Sequence, residues 1–327
     1  MDIFESLSGV FSCMLMIGLG YWLTHRGWFT AETGRLFSRM AMTIAIPLYM
    51  IVSMTKSYTK QDLLQAGTAA AVPILVMLTV YAIGVVVSFA ARVPEHRRGA
   101  FQAMFFVSNS GFIGFPVNVA LFGEAALPYA VIYYLLQTML FWTIGVWSLS
   151  LDGPRFAGLQ NGSTVIVPRP VFGLSTLRNI VTPPLIGSVV AVVLILGSIK
   201  LPTFLASTFT YLGGMTTPLA MLFLGIAIHV SNLKSVRMTR DMWILIAARF
   251  LIAPGVVILV TSLIPVPELM RKVYIIEAAM PVMTQVSIAA RAYNADANYI
   301  AVMTAITTVM GLFTIPTYFL LLQFGIL

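Results

Sequence analysis

VSNSGFIGFPVNV, residues 107–119, is apolar enough to lie in a membrane and yet holds two Asn, two Ser, two Gly and a Pro. Hydrocarbon offers no hydrogen bonds, so exposed backbone at that depth must be satisfied by protein, water or a ligand. The surrounding chain makes the membrane setting plain. Its 327 residues are 59% hydrophobic and only 9% charged, with a mean hydropathy of +0.94, against about 25% charged residues in a soluble domain. Apolar blocks long enough to span a bilayer fall at 3–24, 35–54, 64–90, 99–121, 126–150, 178–197, 203–229, 241–263, 270–291 and 298–325. The expected fold is an all-α integral membrane protein of ten transmembrane helices, the first of them retained, since its start is acidic (Asp2, Glu5) and its apolar run exceeds a signal-peptide core.

The fourth span carries the quoted stretch about 15–20 Å along its axis, at mid-membrane. Gly111 and Gly114 lack side chains to shield the backbone, and Pro116 has no N–H and clashes with the carbonyl four residues before it. A helix broken here would free backbone groups beside Asn109 and Ser110, which bring both donors and acceptors. The ninth span, VYIIEAAMPVMTQVSIAARAY, supplies a counterpart at Pro281, which is expected to free the Glu277 carbonyl and is followed by Thr284 and Gln285.

These two breaks are related by a constant offset. Pro47 in MTIAIPLYMIV and Pro218 in MTTPLAMLFLGI, two further expected helix breaks, lie 171 residues apart, and the same shift brings Asn109-Ser110 onto Met280-Pro281. Five helices separate the copies, an odd number, so the second is inserted upside down. The expected domains are a first five-helix repeat at 1–150, a cytoplasmic linker at 151–177 and an inverted repeat at 178–327. Such a 5+5 plan is recurrent in secondary transporters, which handle substrate where broken helices of the two halves meet.

The net charge of +8 finds no soluble domain to present it to nucleic acid, so its distribution reports topology. Thirteen Lys and Arg flank the odd-numbered connections and five the even ones, which places both termini outside by the positive-inside rule. Two ionisable groups fall within spans, Arg249 and Glu277, and each is a functional hypothesis by default. Arg249 offers a bidentate fork for a substrate carboxylate; it could instead snorkel to the inner interface or pair with Glu277. Glu277, four residues before the break, is a candidate for taking up a proton or sodium ion, and Gln137 is a polar candidate for the ion path. One cysteine, Cys13, excludes an intramolecular disulfide, and the three His lack metal-ligand spacing. No cofactor and no metal are expected.

NSGFIGFPV (109–117), LFGEAALPYAVIY (121–133) and AAMPVMTQVSIAARAYNADANYIA (278–301) resemble the auxin efflux carrier family, whose prokaryotic members are permeases described for malate or malonate and whose plant members export auxin. The resemblance covers essentially the whole chain. It implies crossed helices 4 and 9, similar to those of sodium–proton antiporters and bile-acid transporters, a scaffold from helices 1, 2, 6 and 7, a mobile unit from helices 3–5 and 8–10, elevator-type transport, a homodimer in membrane lipid, and a bacterial inner-membrane location. The family's crossover asparagine matches Asn109 and its crossover proline Pro281. Where plant exporters place a second asparagine this chain has Met280, Thr284 and Gln285, so a small organic anion, malonate- or malate-like or an auxin-like carboxylate, is the implied substrate. A cation exchanger or channel of the same architecture is the competing class, and would need a buried aspartate at the crossing. An enzyme would need a nucleophile–base pair or metal cluster within the spans, and the sequence shows none.

Overall fold

The computed structural model describes residues 3–57, 59–60, 70–161, 181–230 and 237–326, and among these every regular element is a helix. In chain order they are α1 (Ile3–His25), α2 (Ala31–Lys56), α3 (Ala71–Ala90), α4 (Arg98–Phe106), α5 (Ser110–Phe122), α6 (Glu124–Phe156), α7 (Pro183–Leu196), α8 (Thr203–Val230), α9 (Arg240–Leu263), α10 (Glu268–Ala278), α11 (Gln285–Ala292) and α12 (Ala297–Gln323). Six of them, α2, α3, α6, α8, α9 and α12, are long and apolar enough to cross a membrane. The chain is a multi-pass, all-helical membrane protein.

Two packed groups stand out. The helix α1 lies along α8, and α2 packs on both α7 and α8; on the other side α3, α4, α6 and α9 interlock with α10, while α11 packs on α12. The α1–α8 contact is backbone on backbone: a methyl group added at Gly225 would run into the Ile17 carbonyl, and one at Gly20 into that of Leu222. Small residues of this kind are what let membrane helices approach closely enough for van der Waals contact to hold them.

Several boundaries differ from the sequence expectation. The expected linker at 151–177 begins as helix, with Asp152–Asn161 continuing beyond α6, and residues 162–177 lie outside the described residues. Asp152 explains that continuation. It is buried, and its two carboxylate oxygens accept from the Gly99 and Ala100 amides at 2.8 and 2.6 Å, capping the N-terminus of α4, where orphan N–H groups favour an anion.

The prolines also act differently from the expectation that they break helices. Pro47 and Pro116 sit inside continuous helix, each two residues past the end of a five-residue π turn, Ala41–Ala45 and Ser110–Gly114. Pro254 repeats the arrangement after Ala248–Ile252. In each the amide before the proline reaches five residues back, as Phe115 does to Ser110, and this extra residue moves the carbonyl four before the ring out of its path. At Pro254 the displaced carbonyl, that of Phe250, accepts the Tyr318 hydroxyl at 2.6 Å. Gly114 closes one of these turns and is likewise no break. Pro218 lies in the first turn after an interruption of α8 at Gly214–Met215, a position where its missing N–H costs nothing.

Candidate functional site

The true interruptions are at Val107–Asn109, between α4 and α5, and at Ala279–Thr284, between α10 and α11. There the chain is extended, and the two segments pair antiparallel: Ser108 bridges Val282, and the Asn109 amide donates to the Pro281 carbonyl at 2.8 Å. The two interrupted helices expected from sequence thus do meet, and Asn109, Ser110, Met280 and Pro281 are brought together. Pro281 suits the crossing because only its carbonyl takes part, as an acceptor, and its missing N–H is not called on; its ring packs so closely on Gly311 that a methyl at Gly311 would lie 2.8 Å from it.

The other edge of this small ladder is a side chain. Gln137 of α6 accepts from the Ser108 amide and hydroxyl, both at 2.8 Å, and donates to the Ser108 carbonyl at 2.6 Å and the Ser110 hydroxyl at 2.9 Å. Its amide thereby stands in for a neighbouring strand, satisfying backbone that helix no longer satisfies. Val282 is secured in the same way, its amide donating to Thr307 Oγ1 at 3.1 Å.

Arg249, on α9, is fully buried behind the crossing. Its Nη1 donates to the Phe105 carbonyl at 3.1 Å, and its Nη2 to the carbonyls of Ala278 and Met280 at 2.8 and 3.1 Å. These acceptors belong to the C-terminal ends of α4 and α10, where carbonyls lack helical partners and the dipole is negative. The guanidinium therefore ties the two half-helices together instead of snorkelling or pairing with Glu277. Nor is it the Glu277 carbonyl that the break at Pro281 frees: that carbonyl takes the Met280 amide at 3.3 Å.

In front of the crossing lies a cavity of about 780 Å³. Thr284 and Gln285 at the start of α11 and Phe112 in the first turn of α5 form one wall; Ala31, Arg35, Ser38, Arg39 and Met42 of α2 and Phe223 of α8 form the other, with Ser287, Ile288 and Arg291 completing it. No carboxylate lines it. Asn109 does not itself line it; it is buried next to the lining Thr284, with its amide nitrogen 3.5 Å from Thr284 Oγ1, at the limit of a hydrogen bond. The first amides of α5 and α11 have no intrahelical acceptor, so the cavity is bordered by two positive helix ends and three arginines. Away from the cavity, Glu124 at the head of α6 closes against α2, accepting from the Tyr49 hydroxyl at 2.9 Å and the Ser53 hydroxyl at 2.5 Å.

The membrane transport protein family matches residues 4–319 of this chain. The chain belongs to that family. It is a membrane transporter and not an enzyme, and the match agrees with the resemblance carried by the crossing residues. Over 315 residues it is 24% identical to an uncharacterized transporter of Methanocaldococcus jannaschii, covering 93% of this chain and 95% of that protein. A second uncharacterized transporter, from Methanothermobacter thermautotrophicus, is 26% identical over 317 residues, 96% of this chain and 97% of the relative.

Glu277 is the other charged residue at this depth. It is fully buried on α10, where its Oε1 accepts from Asn118 Nδ2 at 2.9 Å and its Oε2 has no hydrogen-bond partner. The carboxyl lies flat against Gly114, so that a methyl there would be 2.5 Å from Oε2. Asn118 was not singled out from sequence as part of any site, although it stands in the opening stretch four residues after Gly114, on the same helix face. Arg35 and Arg39 carry the same kind of signal, an i, i+4 pair that sets both on one face of α2.

Proposed function

We propose that this transporter is a secondary carrier of a small organic anion, malonate- or malate-like or an auxin-like carboxylate, working by elevator-type alternating access. The observation that carries this reading is the sign of the cavity: Arg39 and Arg291, Arg35 with its Glu32 partner at 3.3 Å outside the lining, two helix N-termini, and no lining acid. A carboxylate is stabilised by each of these, and a cation is repelled by all of them. A crossed-helix cation exchanger would require the opposite sign at the same place.

The packing supports the division of labour. The group of α1, α2, α7 and α8 is the scaffold, corresponding to helices 1, 2, 6 and 7 of an inverted 5+5 repeat, and the remaining helices are the transport unit that carries the crossing. Cavity walls come from both groups, so movement of one past the other exposes the site alternately to the two sides. The cavity opens at the arginine-rich end, which the positive-inside rule makes cytoplasmic, with both termini outside; the Tyr49–Glu124–Ser53 contact then closes the outer end in this inward-facing state. A homodimer in the bacterial inner membrane completes the reading.

Counterflow of radiolabelled malonate, malate and indole-3-acetate into proteoliposomes is the test. Wild-type protein exchanges one of them, and Asn109→Ala abolishes that exchange while eluting as a folded protein. Full exchange by Asn109→Ala removes the crossing as the binding site.

A further inference from the structure

We propose that Glu277 is a proton site, and that the proton it takes up is carried across the membrane together with the anion bound at the crossing. The coupling part rests on the anion-carrier reading above; the proton site itself rests on the geometry around the carboxyl.

That geometry begins with an unsatisfied oxygen. Glu277 Oε2 is fully buried and has no hydrogen-bond partner, and neither has Asn118 Oδ1, while the Asn118 amide nitrogen donates to the Gly114 carbonyl and to Glu277 Oε1, each at 2.9 Å. A buried carboxyl oxygen without a donor is satisfied when it carries its own O–H. A sodium ion needs several oxygen ligands and room for them, but the carboxyl is pressed on the Gly114 Cα with no space for so much as a methyl group. A proton needs no room. When it binds, Oε2 gains an O–H bond and the carboxylate becomes neutral; when it leaves for water, the charge returns.

The groups facing Glu277 give the proton its effect on the site. Asn118 and Gly114 approach from α5. Tyr133 on α6 lies within electrostatic reach of both Glu277 and Arg249. On α10 itself Tyr274 stacks against Tyr133, with ring centroids 5.6 Å apart. Arg249 on α9 does not pair with Glu277, its guanidinium being engaged by three carbonyls. Each helix end counts as about half a charge. Arg249 thus offsets the two C-terminal ends, and the two N-terminal ends leave about one positive charge toward the cavity. An ionised Glu277 offsets that as well, so the site holds an anion best when Glu277 is protonated. Linkage then requires that a bound anion strengthen proton binding by the same factor, in the range of about 5- to 150-fold for typical couplings.

Infrared spectroscopy of the purified full-length chain, titrated with acid and base, tests the proton site without reference to substrate. A carboxylic-acid C=O band is expected that Glu277→Gln removes. Asn118→Leu, which takes away the hydrogen bond to Oε1, shifts that band without removing it, and this serves if Glu277→Gln does not fold. Absence of any acid band assignable to Glu277 across the titration overturns the proposal. In proteoliposomes, with radiolabelled malonate, malate and indole-3-acetate as probes, Glu277→Gln loses accumulation driven by a pH gradient, and its remaining counterflow no longer varies with pH. Gradient-driven accumulation that survives in Glu277→Gln, or a strict requirement for sodium in wild type, overturns the coupling. If wild type exchanges none of the three anions, the anion-carrier reading fails and the coupling falls with it, while the infrared band still decides the proton site.

Discussion

Replacing Arg249 by methionine tests whether the guanidinium holds the crossing together or serves a substrate. The change removes three hydrogen bonds of 2.8–3.1 Å to the carbonyls of Phe105, Ala278 and Met280. Those acceptors are backbone and cannot be replaced by apolar groups, so each is left buried without this donor, at a cost of about 1–3 kcal/mol apiece. Methionine recovers about 1.5–3 kcal/mol by filling the space with apolar surface, and the cost of burying a charge disappears. The balance is a loss of about 2–6 kcal/mol, close to the 3–5 kcal/mol typical of breaking a buried ionic contact from one side. Arg249→Lys keeps the charge but not the planar fork, and so loses less. The protein supplies its own reporter: Cys13 is the single cysteine and is buried. A thiol-reactive fluorogenic dye therefore follows unfolding in detergent, and the expected order of melting temperature is wild type, then Arg249→Lys, then Arg249→Met. If Arg249→Met melts with wild type yet loses anion exchange, the guanidinium is a substrate ligand and the staple is wrong.

Gln137→Leu removes the four bonds that bracket Ser108 and Ser110, and the same dye assay is expected to show a loss of about 2–4 kcal/mol; an unchanged melt would mean water replaces the amide. Tyr49→Phe combined with Ser53→Ala frees Glu124 and is expected to raise labelling of Cys13 by an impermeant maleimide from the outer side a few-fold, in line with about 1 kcal/mol for bonds in an exposed setting. No change in labelling would detach Glu124 from the outer closure. Acid sensitivity is expected at His96, in the connection before α4. Partial burial first, and the Arg97 charge second, hold its imidazole below the ordinary 6.5, and its Nε2 accepts from Arg97 Nε at 3.3 Å, which only the neutral ring can do. The unfolded chain then binds this proton more readily, so stability present above pH 6.5 is lost as pH falls below it; His96→Gln should flatten that part of the profile, and an identical profile would refute the assignment.

Much of the architecture was legible because the membrane penalises polar backbone so heavily. Asn109, Ser110 and Pro281 have few reasons to lie in apolar spans, and the 171-residue offset paired their segments before any contact was visible; the bridge from Ser108 to Val282 is that pairing in space. Where the helix opens was not legible. A proline's local clash is simple to state, but a π turn absorbs it at Pro47 and Pro116 alike, and the extended segment begins at Val107, where Gln137 and the Pro281 carbonyl satisfy the backbone that follows. Arg249 was equally opaque for a reason of the same kind. Its partners are carbonyls, which carry no sequence signature, and they lie at the ends of two helices that only tertiary structure brings to one point.

The position of Arg249 bears on why one crossed-helix plan can serve ions of either sign. Two broken helices that cross necessarily present four ends, two positive and two negative, and left alone the four nearly cancel. A buried cation that engages the carbonyl ends removes the negative pair from consideration without occupying the cavity. The amide ends then act on whatever enters between Thr284, Gln285 and the arginines of α2 and α11. On this argument the sign of the cargo is set less by the residues that touch it than by which pair of helix ends a fixed charge behind them neutralises. A buried acid on the amide ends would invert the preference, and Glu277, set against the first turns of α5 through Gly114 and Asn118, is placed to do so reversibly.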